Sequence, residues 1–278
     1  MTVSTIESTN LGTAPLSTIH MFWHGEPLSR VERLAMASFI ACGHPVRLHT
    51  YDEQNRVPMG VVVTDAGQTI PRGDLFRHPK TGSMAQFADW FRYRVLNLHG
   101  GVWADTDVVC LAPLRYPHAE VFAWQDSIQI NNAVLGLPAE HPLAQWMSDA
   151  CEKPNRVLPY DNVRVRWRKW KRRTLQGDRR GNVKWGEYGP VGFTQAVRQF
   201  GYVDLALPAQ HFYPVPFGEW RSVFEPGNRN WGEKLADARA LHLWNEMLRR
   251  ESGFDKDARF DPSSLFEQLC VRFLRDDS

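Results

Sequence analysis

The sequence predicts an α/β domain built around a mostly parallel sheet, and three observations predict it. Apolar, strand-like runs alternate with capped helical stretches through the first half of the chain. The first of them form a strand–helix–strand unit, which joins parallel neighbours through a crossover. Further on, a long amphipathic helix closes on Gly100 and Gly101 and is followed at once by another apolar strand. With 278 residues, 43% hydrophobic and 23% charged, the chain has room for one large α/β domain or two small ones and can bury an ordinary core.

TIHMFW, Thr18 to Trp23, reads as the first strand and ends at His24-Gly25. A helix follows, with Ser29 as its cap, Val31, Ala35, Phe39 and Cys42 as its apolar stripe and Gly43 as its stop. VRLHTYDE, Val46 to Glu53, reads as the second strand; VVV at 61–63 is too short to assign, and residues 64 to 82 read as an irregular connection. Ser83 and Gln86 make a capping-box pattern before the stripe Met84, Phe87, Phe91, Val95 and Leu98. VWADTDVVCL, EVFAWQ and IQINNAVLGL read as strands. Helices are expected over His141–Cys151 and Val191–Phe200, a late strand over ALHLW at 240–244, and an amphipathic C-terminal helix from Ser263. Sheets of this kind bind ligands at the carboxyl ends of their strands.

A net charge of +2 argues against a protein that is basic throughout. Four cysteines, Cys42, Cys110, Cys151 and Cys270, lie far apart with no C-x-x-C, which argues against zinc knuckles and thioredoxin chemistry and fits reduced thiols in the cytoplasm. No apolar run approaches the length of a membrane span. Residues 1–17 lack the basic start and apolar stretch of a secretory signal and read as a flexible leader.

HGGVWADTDVVC, His99 to Cys110, carries the chemistry. Two carboxylates, Asp105 and Asp107, interrupt an apolar segment, where like charges repel and burial is costly. In an extended segment the i, i+2 spacing sends both side chains to one side. Such a pair either sits at an exposed strand end or is neutralised by a hard divalent cation, Mg²⁺ or Mn²⁺, which takes carboxylates and substrate phosphates together. A second D-x-D, Asp255-Lys256-Asp257, lies in a polar segment and reads as solvated surface. Asp89 and Arg92 are neighbours on the preceding helix, fit either for a mutual salt bridge or for a site.

FADWFRYRVLNLHGGVWADTDV resembles the signature of the DXD-containing sugar transferases of glycosyltransferase family 32, related to the α1,4-glycosyltransferases and the clostridial glucosylating toxins. Asp89, Arg92, Gly100, Gly101, Trp103, Asp105 and Asp107 hold the signature's places; Trp103 stands where the family usually has Tyr. IHMFWHG, NNAVLGLPAEHPL, GPVGFTQAV and HLWNEM resemble further family segments in the expected order over roughly residues 18–247. The resemblance implies a GT-A-like single nucleotide-sugar-binding domain over 18–250, with a basic insertion at about 160–185 and helical C-terminal additions over 251–278.

It also implies a retaining, metal-dependent transfer from a UDP- or GDP-sugar to a glycan, lipid-linked or protein acceptor, in cell-surface polysaccharide or lipopolysaccharide synthesis. Asp105 and Asp107 would hold Mn²⁺ or Mg²⁺, with His242 as third ligand or, in its place, a merely packed strand-end histidine; Asn245 is the alternative ligand. Trp23 would stack on the base or serve the core. Asp89 and Arg92 would bind sugar hydroxyls. Asn131 and Asn132 would do the same, or bond to backbone. No carboxylate presents itself as a covalent nucleophile beyond Asp89 and Glu187, so a same-face mechanism is the default.

RVRWRKWKRRTLQGDRRGNVKW, Arg164 to Trp185, holds ten Lys/Arg interleaved with Trp167, Trp170 and Trp185 and matches no family segment. It reads as a surface for anionic lipid or an acceptor at the inner face of a membrane, ahead of nucleic acid, or as a mobile charged insertion. The competing function is an inactive relative that binds nucleic acid or anionic glycan through this stretch.

Overall fold

Ser29 starts the first helix as its spacing to Glu32 predicts. Its hydroxyl accepts from the Val31 N–H while the Glu32 carboxylate accepts from the Ser29 N–H, so two otherwise unpaired donors are satisfied. The computed structural model describes residues 15–184, 186–227 and 229–274. Residues 1–14, most of the expected leader, and Trp185 lie outside the described residues. The chain runs through β1 (Ile19–Phe22), α1 (Arg30–Ala41), β2 (Val46–Thr50) and β3 (Val61–Asp65). Then come α2 (Ala85–His99), β4 (Val102–Ala104), β5 (Val108–Cys110), β6 (Val121–Trp124), β7 (Ile130–Gly136) and α3 (Pro142–Glu152). The rest comprises α4 (Val163–Leu175), α5 (Pro190–Phe200), α6 (Trp231–Lys234), β8 (Ala240–His242), α7 (Asn245–Arg250) and α8 (Leu265–Phe273), with short 3-10 turns between.

Six strands form one sheet in the order β3-β2-β1-β4-β7-β6, and β5 pairs with β8 in a second. Neighbours from β3 through β4 are parallel, and β7 runs against both β4 and β6, so the sheet is mostly parallel as expected. Alternate residues of β1 serve two cores: Ile19 and Met21 pack with α1 and α8, while Phe22 packs with α2, α3 and α5. Val61–Asp65, whose apolar run is too short to assign from sequence, forms one edge strand of the sheet; Val62 and Val63 stay exposed. The sheet order turns back between β1 and β4, and a crevice for ligands lies outside the carboxyl ends of strands at such a point.

The Gly100–Gly101 turn sets the close approach of helix and sheet. Both residues have positive φ, 64° and 93°. A Cβ on Gly100 would stand 2.6 Å from the Ala139 nitrogen, and one on Gly101 2.8 Å from the Thr18 carbonyl oxygen.

Several expectations are corrected. The second strand stops at Thr50 rather than Glu53. The Ser83/Gln86 capping box does not form: α2 starts one residue later than expected and Gln86 instead donates to the Val183 carbonyl at 2.7 Å. VWADTDVVCL is two strands in two sheets, broken by a turn that the Val108 N–H closes on the Asp105 carbonyl at 3.0 Å. The basic insertion is largely a regular helix, α4. The C-terminal helix is not an appendage, since Leu265, Phe266, Leu269 and Cys270 lie in the β1–α1 core and Glu267 pairs with Arg30 at 2.7 Å.

The second D-x-D is not merely solvated. Asp255 Oδ1 accepts from the Asp257 N–H, and Asp257 Oδ1 accepts from the Arg30 N–H at the start of α1, 3.0 Å away. Asp257→Ala is therefore expected to cost about 0.5–1 kcal/mol of stability, the scale of a charge at a helix N-terminus, without touching transfer. Denaturant titration alongside an activity assay decides; lost transfer at normal stability would give this D-x-D the chemical role.

Candidate active site

Asp105, Asp107 and His242 offer three ligand atoms all within 4.8 Å of one another. The turn after β4 brings the two carboxylates together, a different device from the extended spacing expected. β8 delivers the third group: His242 lies opposite Val108 in the β5–β8 pair, and its Nε2 is 3.1 Å from Asp107 Oδ2. The Leu243 N–H ties the same segment to the Asp107 carbonyl at 2.9 Å.

Two residues missed from sequence complete the setting. Trp244 holds a left-handed backbone, φ 59°, which is unfavourable for a bulky side chain. Its ring is buried against His242, with centroids 4.2 Å apart, and its Nε1–H donates to the Val215 carbonyl. That conformation turns the Asn245 N–H onto Asp107 Oδ2 at 2.6 Å. Tyr213, from a segment with no readable periodicity, stacks edge-on against His242.

Arg92 is the hub on the other side. It donates to Asp105 Oδ1 at 2.8 Å and to the Asn132 carbonyl at 2.5 Å, and lies 3.6 Å from Asp89. Its guanidinium lies over the Trp103 ring, and Trp103 Nε1–H donates to Asp105 Oδ1 at 2.7 Å. Asn132 donates to Asp89 and to the Tyr93 hydroxyl. Asn131 instead serves its hairpin, donating to Gln125 and accepting from the Ala133 N–H. Trp23 stands apart from this network at the end of β1: its Nε1–H donates to the Glu26 carbonyl, and Lys256 Nζ is 5.1 Å from its ring centroid. Glu187, the outside candidate for a nucleophile, is held in a two-point pair with Arg172.

Burial pushes the Asp89 carboxyl up to about 6 against the pull of Arg92 and Asn132. Asp105 is also raised by burial, with Arg92 opposing and Asp107 adding to it. Burial alone would raise Asp107 and lower His242. Their mutual attraction outweighs burial in both, so Asp107 titrates below and His242 above its ordinary value. Asp107 and His242 thus favour each other's charged forms, beside the Asp105 carboxyl that burial holds up. The donor set fits a hard divalent cation: two carboxylates and an imidazole at one turn, with His242 Nδ1 and Asn245 Oδ1 both buried and unpartnered. A cation held there would compete with a proton for His242.

Residues 65–135 match the glycosyltransferase sugar-binding region containing the DXD motif, and residues 182–276 match the alpha 1,4-glycosyltransferase conserved region. The resemblance read from the D-x-D block is borne out. Residues 136–181, with α4, fall between the two regions. The chain is 26% identical over 203 residues to human alpha-1,4-N-acetylglucosaminyltransferase, which covers 68% of this chain and 51% of that protein. It is 26% identical over 190 residues to human lactosylceramide 4-alpha-galactosyltransferase, covering 67% of this chain and 47% of that one. The chain thus spans about half the length of these curated relatives. Among solved structures, PaToxG glycosyltransferase aligns with 66% of this chain and 68% of its own at 16% identity and a TM-score of 0.42. The glycosyltransferase GlyE of Streptococcus pneumoniae TIGR4 aligns with 95% of this chain and 61% of its own at 14% identity and a TM-score of 0.41.

Proposed function

We propose that this chain is an α1,4-type glycosyltransferase that moves a sugar, with retention, from a UDP- or GDP-sugar to a glycan or lipid-linked acceptor in cell-surface glycan synthesis. The observation that carries this reading is the convergence of Asp105, Asp107 and His242 at the carboxyl end of β4, beside the point where the strand order reverses. Three carboxylates with Asp89 face one guanidinium, so with His242 neutral the cluster has two negative charges to spare, which one divalent cation balances. When bound, Mn²⁺ or Mg²⁺ supplies Lewis-acid stabilisation of the departing nucleoside diphosphate.

The chain's own residues do the rest. Asp107, His242 and Asp105 would hold the cation, Asp105 with its Oδ1 also bound to Arg92 and Trp103. Asp89 is proposed to reach the sugar hydroxyls; Gly189, whose Cβ would stand 3.2 Å from Asp89 Oδ2, packs closely against that carboxylate. Arg92, spent on Asp89, Asp105 and Asn132, acts through them. Asn132 acts through Asp89, to which its amide donates, while Asn131 serves its hairpin. Asp89 is held by Asn132 and Arg92, and Glu187 by Arg172, which favours same-face transfer over a covalent intermediate.

Release of nucleoside diphosphate from a panel of UDP- and GDP-sugars with Mn²⁺, followed by NMR of the product anomer, tests the reading. Release from at least one donor and an α-configured product are expected; no release from any donor overturns it. Trp23, half-buried at the end of β1, is proposed to stack on the base. Trp23→Ala is then expected to weaken nucleoside diphosphate binding by about 1–3 kcal/mol in calorimetry, more than it lowers thermal stability. Unchanged affinity returns Trp23 to the core.

A further inference from the structure

Helix α4 presents two opposite faces of unusual composition. Its inward face is basic: Lys169 and Arg172 are buried and paired with Asp161 and Glu187, both at 2.8 Å. Its outward face is apolar. Val163, Trp167 and Trp170 recur at i, i+4 and i+7, hence on one stripe, and are 82%, 58% and 48% exposed. Arg164, Arg168 and Lys171 flank the stripe on one side, and Arg166 and Arg173 on the other. Lys171 lies over the Trp167 ring, and Arg164, Arg168 and Arg173 are exposed. The first turns of α4 line a shallow cavity of about 650 Å³.

An isolated helix of this kind works against itself. Arg164 and Arg168, and Lys169 and Arg173, are like charges four residues apart, a destabilising spacing, and α4 itself contains no acidic residue. Within the described residues the inward pairs relieve two of seven cations, Lys169 and Arg172. The remaining five surround exposed tryptophans, the arrangement in which basic side chains reach headgroups while aromatic rings enter the boundary between headgroup and acyl chain. No described helix is long and apolar enough to cross a membrane.

We infer that the Val163–Trp167–Trp170 face of α4 docks on a bilayer carrying anionic phospholipid. The inward pairs make the docking helix part of the body that holds the site. Arg172 fixes Glu187, the Tyr188 carbonyl accepts from the Tyr93 hydroxyl on α2, and Gly189 lies against Asp89. A surface seated on α4 is therefore held by the same packed body that carries Asp89. The docking does not rest on the transferase reading, and its test uses no turnover.

Cosedimentation with vesicles of phosphatidylcholine alone, and of phosphatidylcholine with phosphatidylglycerol, tests it on the full chain. The wild type is expected to bind the anionic vesicles only, and less as salt rises. Replacing Arg164, Arg168, Lys171 and Arg173 by Ser should weaken binding by about a hundredfold or more, since each surface cation contributes near a bilayer. Trp167→Ser with Trp170→Ser should leave a weaker, more salt-sensitive association. Lys169 and Arg172 stay in both variants, and circular dichroism and thermal unfolding confirm that each is folded. Three results would overturn the inference: no wild-type binding to anionic vesicles at low salt, equal binding by the folded four-site variant, or tighter binding to a single-stranded oligonucleotide than to vesicles.

Discussion

Asp107→Asn is expected to lower sugar transfer by about a thousandfold, the scale of losing one preorganised electrostatic stabiliser, and to leave a folded protein. Asp107 is the proposed ligand that ties the β4–β5 turn to the β8 segment. Its Oδ2 meets both His242 Nε2 and the Asn245 N–H, while its backbone carbonyl holds Leu243. Asn keeps the shape and can still accept from Asn245, so the turn survives. What goes is the charge that balances His242 and draws the cation. The Asp107 carboxyl lies below its ordinary value in the folded protein, so the stability it supplies is present above the unfolded value and fades as acid protonates it. The variant should therefore be modestly less stable at neutral pH and converge on the wild type in acid. Normal turnover by a folded Asp107→Asn protein would remove Asp107 from the chemistry.

Arg92→Met should have the largest effect on stability, about 3–5 kcal/mol, because it removes the one cation that bridges buried Asp89 and partly buried Asp105. For a domain of this size that loss lowers the unfolding midpoint by on the order of 10 °C. The distinguishing feature is rescue. Adding Asp89→Asn removes one stranded carboxylate and is expected to recover part of the midpoint, although transfer should stay low if Asp89 is the sugar contact proposed. A single variant as stable as wild type would mean that Arg92 is not the hub its contacts describe. A double variant no better than the single would place the cost in lost packing on Trp103 instead.

The order of elements was largely legible because β1, α1, α2 and β7 carry their own periodicity and stops. The paired aspartates were legible because charge inside an apolar run demands an explanation. How they converge was not: Asp105 stands first in the turn, a place aspartate favours, but the apolar residues on both sides read as one strand although they serve different sheets. The Ser83–Gln86 pattern misled because a distant carbonyl, Val183, takes the glutamine amide. Helix α4 escaped notice as a helix because the side chains it buries are Lys169 and Arg172, so periodic hydrophobicity points outward. Asn245 acts through its backbone N–H, which no side-chain pattern reports. His242 stood out only through the resemblance of HLWNEM, since a histidine at a strand end is ordinarily just packed.

Thermal unfolding with UDP and GDP, in Mn²⁺ and in chelator, tests the cation site at Asp105, Asp107 and His242 most directly, because a ligand of the native state raises its midpoint. A nucleoside diphosphate should stabilise the wild type only when Mn²⁺ or Mg²⁺ is present. The effect should weaken as pH falls through the raised His242 value, where a proton competes with the metal, and should vanish in Asp107→Asn. Equal stabilisation in chelator, or in Asp107→Asn with Mn²⁺, would contradict a nucleotide held through that cation.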